Sequence, residues 1–170
     1  MDYDIALDHG AYALVGGPIF GTLASIAFHG YNIPNLKALA RAGSTNHAFI
    51  TSYRGFGSPQ TYTMSEALVD LAAEKCGLDV WEFRYKNAAR PGDLTINSRP
   101  YHDYIYPELL EKAKPFYDQY MAEAEAAKKE GRHVGVGISM GGFIITIGMF
   151  DSAEVAIELN PDGTFTHFNT

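Results

Sequence analysis

Along residues 2–8, Tyr3, Ile5 and Leu7 alternate with acids and Ala6, the period-two pattern of a strand with one buried face. Gly16-Gly17-Pro18 punctuates the chain. Ile19, Leu23, Ile26 and Ala27 then recur at helical spacing as far as Gly30. The next stretch, "YNIPNLKALARAGSTN", supports two readings. Its Leu and Ala content favours a helix, yet Leu36, Ala38, Ala40 and Ala42 alternate with longer residues, and the residues alone leave the choice open.

The firmest local signal follows. Ser58 is a natural N-cap, Pro59 suits the first helical position, and Met64, Leu68, Leu71, Ala72 and Cys76 trace one apolar face before Gly77 stops the helix. Asp79 caps a shorter helix carrying Val80, Phe83 and Asn87, and "ARPGDLTINSRPY" reads as loop. Pro107 and Pro115 each resemble a helix start, and Gly131 ends the Ala/Glu/Lys-rich run from Pro115 to Glu130. The texture then turns to strand: "VGVGIS", "GFIITIGM", and "SAEVAIELN" with Ala153, Val155, Ile157 and Leu159 on one face. Asn160-Pro161-Asp162-Gly163 forms a turn and Thr164 to Phe168 returns. A hairpin in this place exposes an edge that invites a neighbour, the expectation for a piece of something larger. Strands flanking a central group of helices make an α+β pattern rather than repeating βαβ units. No repeat, low-complexity run or linker divides residues 1–170.

Composition narrows the class. The 46% hydrophobic and 19% charged content is globular, and the formal charge of −7 argues against a nucleic-acid groove. No apolar run reaches membrane length and the opening Met-Asp-Tyr-Asp is no secretory signal, so a cytoplasmic location is expected. The single Cys76 excludes an intrachain disulfide and a thiolate-only metal site; on its helix face it reads as core.

The six histidines lack paired ligand spacing. "GVGISMGG" lacks the Lys-Ser/Thr of a phosphate loop, and its glycines fit a strand or bulge better. "TSYRGFGSPQT" stands apart. Gly55 and Gly57 permit close backbone approach and unusual dihedrals. Arg54 offers a fork of donors, Phe56 a flat face, and the helix beginning at Ser58 directs its amides at the same spot. The group describes a cradle for a polar or anionic ligand next to something planar. A buried turn whose arginine pairs with a carboxylate fits the residues equally well.

The words around this turn resemble the molybdenum-binding subunit of the xanthine dehydrogenase/aldehyde oxidoreductase family. They are Arg54 to Gln60, Glu66, Gly77-Leu78-Asp79, Arg84-Tyr85-Lys86-Asn87 and Pro91-Gly92-Asp93. "GAY" (10–12) and "YNIPN" (31–35) sit where that family has similar words, as do "GVGISMG" and "AEVAIELNPDGTFT" downstream. Details are closest to the bacterial aldehyde oxidoreductases. The resemblance implies a molybdopterin-binding domain, of which residues 1–170 are a part, and a strand over Leu36 to Ala42. It implies that Tyr53, Arg54, Gly55 and Phe56 contact the molybdopterin cofactor, in its plain or dinucleotide form. Arg54 would lie near the molybdenum centre, and Phe56 would wall the pocket of an aldehyde or heteroaromatic substrate. Iron–sulfur clusters would belong to other domains or partner chains. The family's general-base glutamate lies far beyond residue 170, so no catalytic residue is assigned and the isolated chain is expected to be inactive. The rival expectations are a non-catalytic remnant or interaction module of the same ancestry and, more remotely, an unrelated α+β anion-binding domain.

Overall fold

The computed structural model describes residues 1–12, 16–49, 51, 54–142 and 153–169. Strand β1 (Asp2–Asp8) buries Tyr3 and Ile5 and exposes Asp2 and Asp4. It pairs in parallel with β2 (Lys37–Gly43), in register from Asp2↔Lys37 to Asp8↔Gly43. Parallel neighbours need a crossover, and α1 (Gly16–Ser25) lies within it, followed by turns to Gly30. Ile19, Leu23, Ile26 and Ala27 are all buried, as their spacing predicts. The ambiguous segment is therefore a strand: β1 supplies a ladder for 37–43, which outweighs the modest helix propensity of Leu and Ala. One βαβ unit thus sits inside the α+β chain.

Helix α2 (Ser58–Cys76) closes on Gly77, whose φ of 65° lets Gly77 and Leu78 donate to the carbonyls of Glu74 and Ala73. Helix α3 (Val80–Asn87) starts on Asp79, whose carboxylate accepts from the amides of Trp81 and Glu82. Helix α4 (Ile105–Lys129) is continuous. Pro107 occupies its first turn, but Pro115 lies inside, where the missing amide costs one intrahelical bond; the two helix starts read from the sequence are one helix. The Trp81 indole donates to the Leu110 carbonyl (2.9 Å) and the Tyr117 hydroxyl to Asp79 (2.8 Å), docking α4 onto α3.

Two further expectations change. "VGVGIS" carries no ladder: within 132–142 the chain forms no strand or helix. Most of "GFIITIGM" lies outside the described residues. The hairpin forms as read, β3 (Val155–Leu159) antiparallel to β4 (Phe165–Asn169) in register Val155↔Asn169 to Leu159↔Phe165. Val155, Ile157, Leu159 and Phe165 are nevertheless exposed. Among the described residues no helix is long and apolar enough to cross a membrane.

The core lies between the β1–β2 pair, α1, α2 and the first turns of α4, where Tyr3, Leu23, Phe28, Val69, Tyr106 and Leu110 meet. Helix α2 buries an unexpected face. Thr61, Ser65, Glu66, Val69 and Ala73 point inward, while Met64, Leu68, Leu71 and Cys76 are exposed. The apolar face read from the sequence, with Cys76 as core, is the outer one.

Candidate functional site

The turn 54–57 is the head of α2, and its backbone is unusual throughout. Gly55, Phe56 and Gly57 have successive φ values of 99°, 45° and 95°. A Cβ on Gly55 would stand 2.7 Å from Pro59 Cδ. On Gly57 it would stand 3.2 Å from the Ile19 carbonyl oxygen and 3.3 Å from Ile19 Cγ2. Both glycines are thus required by conformation and by space. Left-handed geometry at a phenylalanine is uncommon; here the neighbouring glycines and packing of the half-buried ring against the core hold it.

The cap differs from the sequence reading. Gly57 is the N-cap and no side chain caps the helix. Ser58 is its first residue, and its buried hydroxyl has no hydrogen-bond partner among the described residues. The Ser58 amide donates to the Gly55 carbonyl (2.9 Å), Pro59 has no N–H, and the Thr61 amide and hydroxyl both donate to Gly57 (3.1 Å each). Of the first-turn amides, only that of Gln60 meets no acceptor among the described residues. The helix end therefore offers one donor, not an array. Arg54 is exposed, with no hydrogen bond or ion pair to any described residue, so its fork of donors stays available. This disfavours a turn whose arginine is consumed by an internal carboxylate. An open groove of about 500 Å³ runs beside the turn, bounded by Ile5, Leu7 and Leu23 and by Pro59, Gln60 and Met64 of α2.

Of the expected site residues, Arg54, Gly55 and Phe56 are brought together in one turn, and Tyr53 lies outside the described residues.

Two groups were missed. Behind the turn, the buried Glu66 carboxylate accepts from the Tyr31 hydroxyl (2.8 Å), Arg84 Nε (3.0 Å) and the Met140 amide (2.8 Å). Arg84 is fully buried; its Nη1 donates to Val80, and its Nη2 lies 2.7 Å from Asp70 Oδ1 at ion-pair distance. Burial, reinforced by the Glu66 charge, pushes the Tyr31 phenol far above its ordinary value. The available signal was Thr61, Ser65, Val69 and Ala73 at i, i+4 spacing, a stripe of small residues beside the more apolar one.

The second group surrounds the end of "GVGISMGG". The Tyr62 hydroxyl accepts from the Gly142 amide (2.9 Å) and donates to the Gly142 carbonyl. A Cβ on Gly142 would fall 2.5 Å from the Tyr106 hydroxyl and 3.0 Å from the His29 ring. Burial lowers the His29 pKa, favouring neutral imidazole, and raises that of Tyr106. These glycines serve close approach, in a segment that belongs to no strand. Elsewhere, the Gly10 amide, His47 and Thr45 hold the Asp8 carboxyl down at about 2, which ties together the loops leaving β1 and β2. Among the described residues no group of three His, Cys, Asp or Glu could hold a metal ion.

The profile of the molybdopterin cofactor-binding domain family matches residues 1–88. The chain is 37% identical over 166 residues to the aldehyde oxidoreductase of Megalodesulfovibrio gigas, covering 98% of this chain and 18% of that protein. It is 30% identical over 148 residues to a xanthine dehydrogenase/oxidase of Felis catus, covering 82% and 11%. The solved aldehyde oxidoreductase of Desulfovibrio desulfuricans superposes with a TM-score of 0.79 at 29% identity, over 98% of this chain and 18% of that one. The chain thus spans less than a fifth of the length of each of these proteins.

Proposed function

The chain belongs to the molybdopterin cofactor-binding domain family, and we propose that residues 1–170 are part of such a domain in a longer molybdenum-dependent oxidoreductase subunit. In this reading the turn from Tyr53 to Phe56 faces the cofactor. The observation that carries it is the run of three left-handed residues that presents Arg54, unpaired among the described residues, beside the Phe56 ring. The residues suit the group: an exposed guanidinium and one helix-end amide without an acceptor among the described residues fit a ligand rich in polar oxygens. When bound, the cofactor supplies the redox chemistry of the hydroxylation. This chain's own contribution is position. Arg54 donates to an oxygen of the bound group, and Phe56 orients a planar aldehyde or N-heterocycle by its face. The general base and the iron–sulfur clusters lie in other segments or partner chains, so the isolated chain does not turn over substrate.

The test uses the complete subunit, made in a host that synthesises the cofactor. Arg54→Ala should lower molybdenum per purified chain by about tenfold, the equivalent of one charge-assisted contact. Phe56→Ala should keep the metal and raise KM for an aromatic aldehyde. Wild-type molybdenum content in Arg54→Ala would overturn the assignment of the turn.

A further inference from the structure

The seam between α3 and α4 carries a cluster that neither the packing nor the site just proposed accounts for. Trp81 and Tyr85, one turn apart on α3, stack with ring centroids 5.0 Å apart and planes 11° from parallel. Trp81 is the only tryptophan in the sequence. Both residues are half-buried, so solvent reaches the pair. Helix α4 brings a different group to each ring. The Lys114 ammonium lies over Trp81, 5.1 Å from the ring centroid, whereas the Glu111 carboxylate accepts from the Tyr85 hydroxyl at 2.6 Å. The Tyr104 hydroxyl donates to the same Glu111 oxygen (3.2 Å).

The two rings are therefore unequal toward loss of an electron. An oxidised indole carries a positive charge, which the adjacent ammonium opposes. Its Nε1–H donates to the Leu110 carbonyl, which is no base for that proton. An oxidised phenol sheds its proton, and Tyr85 already aims that proton at a carboxylate. The Glu111 bond, with the second phenol beside it, holds the Tyr85 pKa well above its ordinary value. Electron loss from Tyr85 thus starts from the bonded phenol, not from a free phenolate. Stacking puts the two π-systems in contact, so an electron crosses between them with no group in the way.

We propose that Trp81, Tyr85 and Glu111 form a redox-active site that takes one oxidising equivalent from a small outer-sphere radical oxidant and holds it as a neutral Tyr85 radical. The oxidant accepts one electron from Trp81 and is itself reduced. Tyr85 then passes an electron to the Trp81 radical cation while its phenolic proton moves to Glu111, which restores the neutral indole. No bond between heavy atoms forms or breaks. A reductant of the thiolate or ascorbate class returns the electron, and Glu111 returns the proton. The proposal does not rest on the reading of the Arg54–Phe56 turn. A seam that is only structural would use the stack and the Glu111 bond for packing, and would show no ordered transfer between the rings.

Pulse radiolysis of the 170-residue chain tests this, with the azide radical as oxidant, because it attacks indole in preference to phenol at neutral pH. With one tryptophan, the indolyl absorption reports on Trp81 alone. It should decay as the tyrosyl absorption rises, at one rate that is independent of protein concentration. Tyr85→Phe keeps the stacked ring and should slow that decay by about tenfold or more. Glu111→Gln keeps an acceptor but removes the base, and should slow the transfer by about tenfold. Tyr120→Phe, at an exposed phenol farther along α4, should leave the rate at the wild-type value. An unchanged decay in Tyr85→Phe would overturn the proposal, because another phenol would then be the acceptor. So would an unchanged rate in Glu111→Gln, or a rate proportional to protein concentration, which marks transfer between molecules.

Discussion

Helix α2 and the β3–β4 hairpin are both regular, and both carry apolar stripes, yet they use them in opposite ways. The hairpin pairs its inward-facing backbone groups through its ladder and turn, but leaves Val155, Ile157, Leu159 and Phe165 in solvent. Helix α2 turns its more apolar stripe outward and buries Thr61, Ser65 and Glu66 against the core. The difference lies in what each element meets. The hairpin meets no cover among the described residues. The inner face of α2 meets Tyr31, Arg84 and the Met140 backbone, whose polar groups only a carboxylate in that place can satisfy together. Hydrophobicity favours burial in general; a specific set of buried polar partners decides which face of a helix is buried here.

The comparison breaks most readily at the node. Glu66→Ala leaves Arg84 buried with the Val80 carbonyl and half-exposed Asp70 as its remaining described partners, and should cost about 3–5 kcal/mol or prevent folding. A loss below about 1 kcal/mol in urea unfolding would mean that water, not packing, surrounds the guanidinium. Asp79→Ala tests the seam between α3 and α4. It removes a cap accepting two amides and the partner of the Tyr117 hydroxyl, and should cost about 1–2 kcal/mol. The same change should lower the Tyr117 pKa from about 12, where burial first and then the Asp79 bond hold it; an unmoved phenol titration would break that link. The smallest effect belongs to the hairpin. Ile157→Thr in the 170-residue chain should change stability by less than about 0.5 kcal/mol. A larger loss, especially one that depends on concentration, would show that a second molecule covers the face, and would erase the contrast with α2.

The periodic elements were legible because their signals are local. β1, the buried face of α1, the Asp79 cap, the Gly77 stop and the Asn160–Gly163 turn each follow from a few neighbouring residues. The turn 54–57 was legible as an exceptional place because few contexts ask for Gly-Phe-Gly behind an arginine. The strand at 37–43 needed either the resemblance or a sight of β1, since its own residues favour neither state strongly. The buried face of α2 was misread because helix amphipathicity ranks stripes by apolarity. Nothing near residue 66 announces that Arg84 and Met140 will arrive beside it.

The sequence alone therefore determined the helices and strands that local propensity and caps can specify, the family, and the turn that carries Arg54 and Phe56. The tertiary structure decided the inward face of α2, the Glu66–Arg84 node, and the clamp of Tyr62 on Gly142. Those depend on groups 18 to 80 residues apart, and desolvation makes their pairing obligatory only once the fold has brought them together.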